Sequence, residues 1–321
     1  MKSVVFQGPD TAAVMDRDTP LAGSDDVVVR LRQVGICHSD FDLLADRYIL
    51  PITYPVVPGH EWTGEVVETG SAVGRFGIGD RVVGECSVAD DQHFGFTCDG
   101  AMAEYFKVPA AWLHRLPDGI DDTNGALVEP FAVAYKATFG FDASSTVAIF
   151  GGGPIGLCAT ASAAAKGAQV IVIEPDPRRR ELASALGAAH VVDPAQAPVA
   201  DQVADTTAGR GADGVVEASG NPVAMADALR VAAYGAHVVN VGIDVGEPVP
   251  AELGLIVGKA LRIDGQVGSV DVWPAAIRFL SRLPVDLSAI VSRRFELTQA
   301  LAAFDAAKDR ANNVKIHVTN V

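Results

Sequence analysis

Two groups of residues in this chain have the types and spacing to do chemistry. The first is the pair of segments Gly35-Ile36-Cys37-His38-Ser39-Asp40 and Pro58-Gly59-His60-Glu61. Cys37 and His60 offer a soft thiolate and a borderline imidazole, donors suited to zinc. From spacing alone the signal is modest, because a Cys and a His 23 residues apart occur by chance. His60-Glu61 does not open an H-E-x-x-H helix, since residues 63 and 64 are Thr and Gly. The second group is Gly151-x-Gly153-x-x-Gly156, between an apolar run and an Ala-rich stretch. In a strand–turn–helix setting Gly151 permits the tight turn and Gly153 lets backbone approach a pyrophosphate. Gly156 lets the helix pack near the strand. The free N–H groups of a helix opening at Pro154 and Ile155 would then face the phosphates. Glu174 lies 18 residues beyond Gly156. A carboxylate there accepts both ribose hydroxyls of an adenosine and repels a 2′-phosphate, which favours NAD over NADP. Arg178, Arg179 and Arg180 complicate this, because guanidinium groups can hold that phosphate. On the plainer reading they decorate a solvated helix, with one of them, assigned here as Arg179, stacking on adenine.

Two textures must position these groups. Residues 1 to about 120 read as short β-segments, Val27–Gln33, Trp62–Glu68, Asp80–Gly84 and Ala103–Val108, separated by Gly and Pro clusters. This is the pattern of an irregular β-barrel-like domain. From Thr146 strand-like runs recur: Thr146–Phe150, Gln169–Glu174, His190–Asp193, Gly214–Glu217, His237–Val241 and Leu261–Asp264. Helix-like stretches such as Ile155–Lys166, Pro177–Leu186 and Pro222–Ala233 fill most of the gaps. That alternation predicts a doubly wound parallel sheet of six strands, an α/β dinucleotide-binding fold. The tail adds helices over Trp273–Leu280 and Thr298–Arg310 and a last strand, Val314–Thr319. It is expected to fold back on the first domain. The domains are therefore 1–130 with 267–321, and 131–266.

Composition narrows the function classes. A chain of 321 residues, 49% hydrophobic and 20% charged, is globular rather than disordered. Its net charge of −15 argues against broad binding to nucleic acid or to an anionic membrane surface. Four scattered cysteines do not make a disulfide scaffold, and reduced thiols imply a cytoplasmic protein. No signal-peptide apolar region follows Met1. The uncharged stretch Ala143–Ala165 is interrupted by Gly151-Gly152-Gly153-Pro154 and reads as strand, turn and helix rather than a membrane span.

With GICHSD, PGHEWTGEV and GGGPIG in this order, the chain resembles the zinc-dependent medium-chain dehydrogenase/reductase (alcohol dehydrogenase) superfamily, from about Val27 to the C-terminus. Glu129-Pro130 stands where typical alcohol dehydrogenases carry a Cys. With the tail Val291-Ser-Arg-Arg-Phe-Glu-Leu297, it is similar to the polyol (sorbitol and threonine dehydrogenase) branch. The resemblance implies a GroES-like catalytic domain joined to a Rossmann domain. It implies one catalytic zinc per chain on Cys37 and His60. Glu61 and Glu129 are the acidic groups at or near the metal; which of them ligates directly is left open. The implied chemistry is hydride transfer between a small-molecule alcohol or ketone, of secondary and polar polyol, sugar or cyclitol type, and NAD. The alternative is an NADP-linked reductase of simple ketones or aldehydes.

The resemblance also implies roles near the metal. Ser39 matches the relay hydroxyl for the substrate proton, and with Asp42 where the family often has His, the relay's exit is a carboxylate or solvent. Asp40 orients His60, and His38 stands where relatives touch the pyrophosphate. One departure is that the interval Glu85–Gly100 holds only Cys86, Cys98 and His93 in place of a four-cysteine lobe. No structural zinc is expected. The last Rossmann strand lies at an open sheet edge, so pairing into a homodimer or homotetramer is expected.

Overall fold

The computed structural model describes residues 1–48, 52–86, 92–242, 248 and 250–320. The chain divides into two compact units. One comprises Met1–Glu129, Gly268–Ser281 and Val291–Val321, the other Pro130–Val267 and Arg282–Ile290.

The first unit opens with a hairpin, β1 (Lys2–Gly8) and β2 (Thr11–Asp16), which the sequence reading did not anticipate. Then follow β3 (Asp26–Gly35), α1 (His38–Leu44), β4 (Glu61–Thr69), β5 (Arg81–Gly84), β6 (Tyr105–Pro109), β7 (Leu113–Arg115) and α2 (Asp122–Ala126). Helix α3 (Val128–Ala137) carries the chain into the second unit.

That unit alternates β8 (Thr146–Phe150), α4 (Pro154–Ala165), β9 (Gln169–Ile173), α5 (Pro177–Ala185), β10 (His190–Val192), α6 (Val199–Thr206), β11 (Ala212–Glu217), α7 (Pro222–Val231), β12 (Ala232–Asn240), α8 (Gly254–Gly258) and β13 (Arg262–Gly265). The tail returns to the first unit as α9 (Trp273–Leu280), β14 (Val291–Glu296), α10 (Ala300–Lys308) and β15 (Lys315–Thr319).

In the first unit the strands join in the order β14-β15-β3-β4-β5-β7, with β6 also on β3. Val27, Val29 and Leu31 of β3 alternate into a core with Trp62, Val66, Phe94 and Phe106. The last strand of the chain lies between β14 and β3.

In the second unit six parallel strands run β10-β9-β8-β11-β12-β13. All five residues of β8 are buried, as a central parallel strand covered on both faces requires. Helices α4, α5 and α7 each open with Pro at N1. Asp176 and Asn221 cap α5 and α7 through side-chain oxygens. This is an α/β protein, a GroES-like β-domain with a Rossmann sheet.

Two boundaries differ from the pattern. Strand β12 begins at Ala232 rather than His237, and α7 stops at Val231. Gly211, at φ +79°, brings Ala212 beside Ala232, so the chain leaves the helix directly into the ladder. The segment after Cys37 is helical, which the sequence reading also missed. No helix of the described residues is long and apolar enough to cross a membrane, and Ala143–Ala165 resolves into β8, turn and α4.

Candidate active site

Local structure explains why Cys37 and His60 meet. Cys37 caps α1, its N–H donating to Asp40 Oδ2 at 2.8 Å. Gly59 turns the chain at φ +100°, and a Cβ there would press on Met102 and Val34, so only glycine fits. The turn delivers His60 and then Glu61, which pairs with Gly35 across β3 and β4. A side chain at Gly35 would collide with the Glu61 carboxylate.

The ligand atoms of Cys37, His60 and Glu61 all lie within 4.8 Å of one another. His60 is 4% exposed and Glu61 1%. The imidazole is oriented from both sides: Asp40 Oδ1 lies 3.6 Å from Nδ1, and Ser39 Oγ 3.5 Å from Nε2. Phe96 packs on the ring with centroids 4.6 Å apart, and Tyr48 stacks on Phe96 at 4.7 Å. Burial opposes charge on His60, yet the neighbouring Asp40 and Cys37 hold its pKa well above the usual value.

Glu129 stands outside the three-residue cluster, half-buried in the first turn of α3. Burial pushes its carboxyl up to about 7, with Glu61 and Asp40 adding to the shift and His60 and Lys315 opposing it. Of the two candidate glutamates, the structure gathers Glu61 with Cys37 and His60.

Lys315, from the other end of the chain, was not singled out by sequence reasoning. Its ammonium pairs with Glu61 Oε2 and donates to Ile36 O at 3.0 Å, both partners being almost fully buried. The signal available was a lone lysine opening an otherwise uncharged strand, KIHVT. Buried charge demands a partner, but not one that sequence can name.

The donor set fits zinc. A thiol, an imidazole and a carboxylate converge within 4.8 Å of one another, the donor types that zinc takes.

His38 and Asp42 lie one turn apart on α1, 3.9 Å from each other, and Arg310 donates to His38 Nδ1 at 2.7 Å. In the shortened lobe Cys86 and Cys98 contact the carbonyls of Phe94 and His93, each at 3.7 Å. Residues 87–91 of that interval lie outside the described residues.

In the second unit Gly151 leaves β8 at φ +97°, and Gly153 caps α4. A Cβ on Gly156 would strike the Gly151 carbonyl, whereas one on Gly153 would meet open space. Open space beside Gly153 at a helix N-terminus is what an approaching phosphate needs. Glu174 Oε2 accepts from Gly152 N at 2.5 Å and Oε1 from Asp176 N at 2.9 Å, so the carboxylate is fixed beside the turn. The Cβ of Arg179 flanks Gly152 as well. Arg180 is engaged with Asp193 and the Glu174 carbonyl.

The comparisons agree with this architecture. Residues 23–118 match the alcohol dehydrogenase GroES-like domain, and residues 154–282 the zinc-binding dehydrogenase domain. The D-arabitol-phosphate dehydrogenase of Enterococcus avium is 31% identical, over 99% of this chain and 97% of that protein. The chain belongs to the zinc-dependent medium-chain alcohol dehydrogenase family. Within it, the relatives place the chain in the polyol branch. The crystal structure of 2R,3R-butanediol dehydrogenase from Bacillus subtilis superposes with a TM-score of 0.92 at 29% identity, covering 100% of this chain and 99% of that one. A protein of Sinorhizobium meliloti 1021, described as a zinc-binding dehydrogenase and bound to NADP, superposes at 0.93 and 31% identity, covering 99% and 98%. As a family member the chain is a zinc alcohol/polyol dehydrogenase, with Cys37, His60 and Glu61 as its candidate zinc site.

Proposed function

We propose that this dehydrogenase transfers hydride between a polar secondary alcohol of the polyol, sugar or cyclitol class and NAD. The observation that carries the reading is the Cys37–His60–Glu61 cluster, half-buried at the thiol and buried at the other two, in a chain that also holds the Gly151–Gly156 turn. The arabitol-phosphate and butanediol dehydrogenases among its relatives support the substrate class. Zinc, held by Cys37, His60 and Glu61, supplies a Lewis acid for the substrate oxygen.

The rest is work for the chain's own groups. Asp40, 3.6 Å from Nδ1, holds the direction of the His60 ring. Ser39, half-buried beside His60 Nε2, relays the substrate hydroxyl proton, accepting it while passing its own hydroxyl proton on. Asp42, paired with His38, is the proposed exit for it. Ser39→Ala is expected to lower kcat about a hundredfold while zinc content and cofactor affinity stay at wild-type values. An unchanged kcat removes Ser39 from the relay.

NAD is favoured because the fixed Glu174 carboxylate would repel a 2′-phosphate. The NADP-bound Sinorhizobium neighbour supports a second reading, an NADP-linked reductase of ketones or aldehydes. A screen of polyols, amino sugars and simple secondary alcohols with both cofactors, read at the reduced-nicotinamide absorbance, separates them. We expect turnover of polar secondary alcohols and a higher kcat/KM with NAD. A clear preference for NADP overturns the role given to Glu174.

The edge strand β13 is proposed to pair with a second copy, giving a dimer or tetramer. Light scattering that reports a monomer refutes it.

A further inference from the structure

The parallel sheet places β9 and β11 on either side of β8. In the order β10-β9-β8-β11-β12-β13 the chain reverses direction across the sheet between β8 and β11, the switch point where ligands of such folds lie. Each flanking strand ends in a buried glutamate. Glu174, after β9, is already assigned to the adenosine half. Glu217, the last residue of β11, is fully buried and has had no role so far.

Glu217 is wired to the backbone that follows it. Oε1 accepts from Ser219 N at 2.8 Å and from Ser219 Oγ, and Oε2 accepts from Gly220 N at 3.2 Å. Ser219 Oγ in turn accepts from Asn221 N at 3.1 Å, and Asn221 caps α7. The loop so held touches both neighbouring strand ends. Ser219 lies where a Cβ on Gly151 would come within 3.1–3.2 Å of it. A Cβ on Gly242, just past β12, would approach Glu217 Oε2 at 2.5 Å. Glu217 Oε1 and Oε2 thus clamp the β11–α7 loop against the glycine turn.

An isolated carboxylate is costly to bury, and amides with one hydroxyl are modest compensation. Burial accordingly holds its pKa above the usual value, with the Ser219 and Gly220 bonds opposing. A neutral side chain would fill the space at less cost. What the carboxylate adds is two acceptors aimed at three donors of one short loop, which fixes the lip of the switch-point crevice.

We propose that Glu217 is a positioning residue for the dinucleotide. It shapes the loop Ala218–Gly220 so that the cofactor's nicotinamide-bearing half can cross the switch point, while Glu174 serves the adenosine half. The inference rests on the dinucleotide reading given under the proposed function.

Glu217→Gln turns one acceptor into a donor facing N–H groups, and Ser219→Ala removes only the hydroxyl link. The test measures Kd for 5′-AMP and for whichever of NADH and NADPH the wild type binds more tightly. For Glu217→Gln the dinucleotide Kd and the cofactor KM are expected to rise about tenfold. The AMP Kd and kcat at saturating cofactor are expected to change less than about twofold. Ser219→Ala is expected to weaken the dinucleotide about threefold. Dinucleotide affinity unchanged in both variants overturns the proposal, as does equal weakening of AMP and dinucleotide, the mark of general damage. If Glu217→Gln does not fold, Ser219→Ala decides by the same split. A wild type that binds neither dinucleotide overturns the underlying reading; a wild type that binds, with variants that match it, overturns this proposal alone.

Discussion

Cys37→Ser is expected to abolish turnover, with a loss of at least about 10⁴-fold, and to take bound zinc from one ion per chain to near none. The reasoning is geometric as well as chemical. Cys37 supplies the only thiol in the 4.8 Å cluster, and a serine hydroxyl is a far poorer ligand for zinc at neutral pH. The cap of α1 survives, because serine is a good N-cap and Asp40 still receives the residue 37 N–H. Folding and cofactor binding should therefore persist while metal and activity are lost together. Elemental analysis alongside kcat checks this. A wild type carrying two zinc ions per chain contradicts the single-site reading, and a serine variant that keeps its zinc removes Cys37 from the ligand set.

Lys315→Met is expected to lower stability sharply while leaving the three clustered ligands in place. Lys315 and Glu61 form a buried ion pair, each side chain 2% exposed. Removing one partner strands the other charge, at a cost of about 3–5 kcal/mol. The loss should be larger after chelation than with zinc present, because a bound cation also answers the Glu61 charge. Adding Glu61→Gln should recover much of the stability, since the pair is then absent rather than broken. Thermal unfolding of the four proteins of this cycle, with and without chelator, measures it. Equal melting of Lys315→Met and wild type would show that Glu61 does not depend on the ammonium.

Sequence exposed those parts of the site that restrict residue type locally. Zinc chemistry limits its donors, so Cys37 and His60 stood out. The Gly151–Gly153–Gly156 turn stood out as a pattern between an apolar run and an Ala-rich stretch, and the backbone then accounts for Gly151, at φ +97°, and for Gly156, whose Cβ would strike the Gly151 carbonyl. The six parallel strands were legible from buried β-branched runs such as TVAIF. What stayed hidden depends on contacts distant in sequence. Lys315 meets Glu61 only because β15 inserts beside β3. The Tyr48–Phe96–His60 stack joins three separate segments. The nearness of His38 and Asp42 was within reach, since they stand four apart, but only once α1 is known to be a helix.

The position of β15 bears on how this protein is made. The second unit needs no residue beyond Ile290, so its sheet can assemble without β15. The first unit, whose strands are translated first, cannot close: a place beside β3 waits for the final strand. Until then Glu61 lacks its lysine and β3 presents an open ladder, a hazard for mispairing. A chain truncated before Lys315 should be captured by holdase chaperones through the β-domain, with the Rossmann unit protease-resistant.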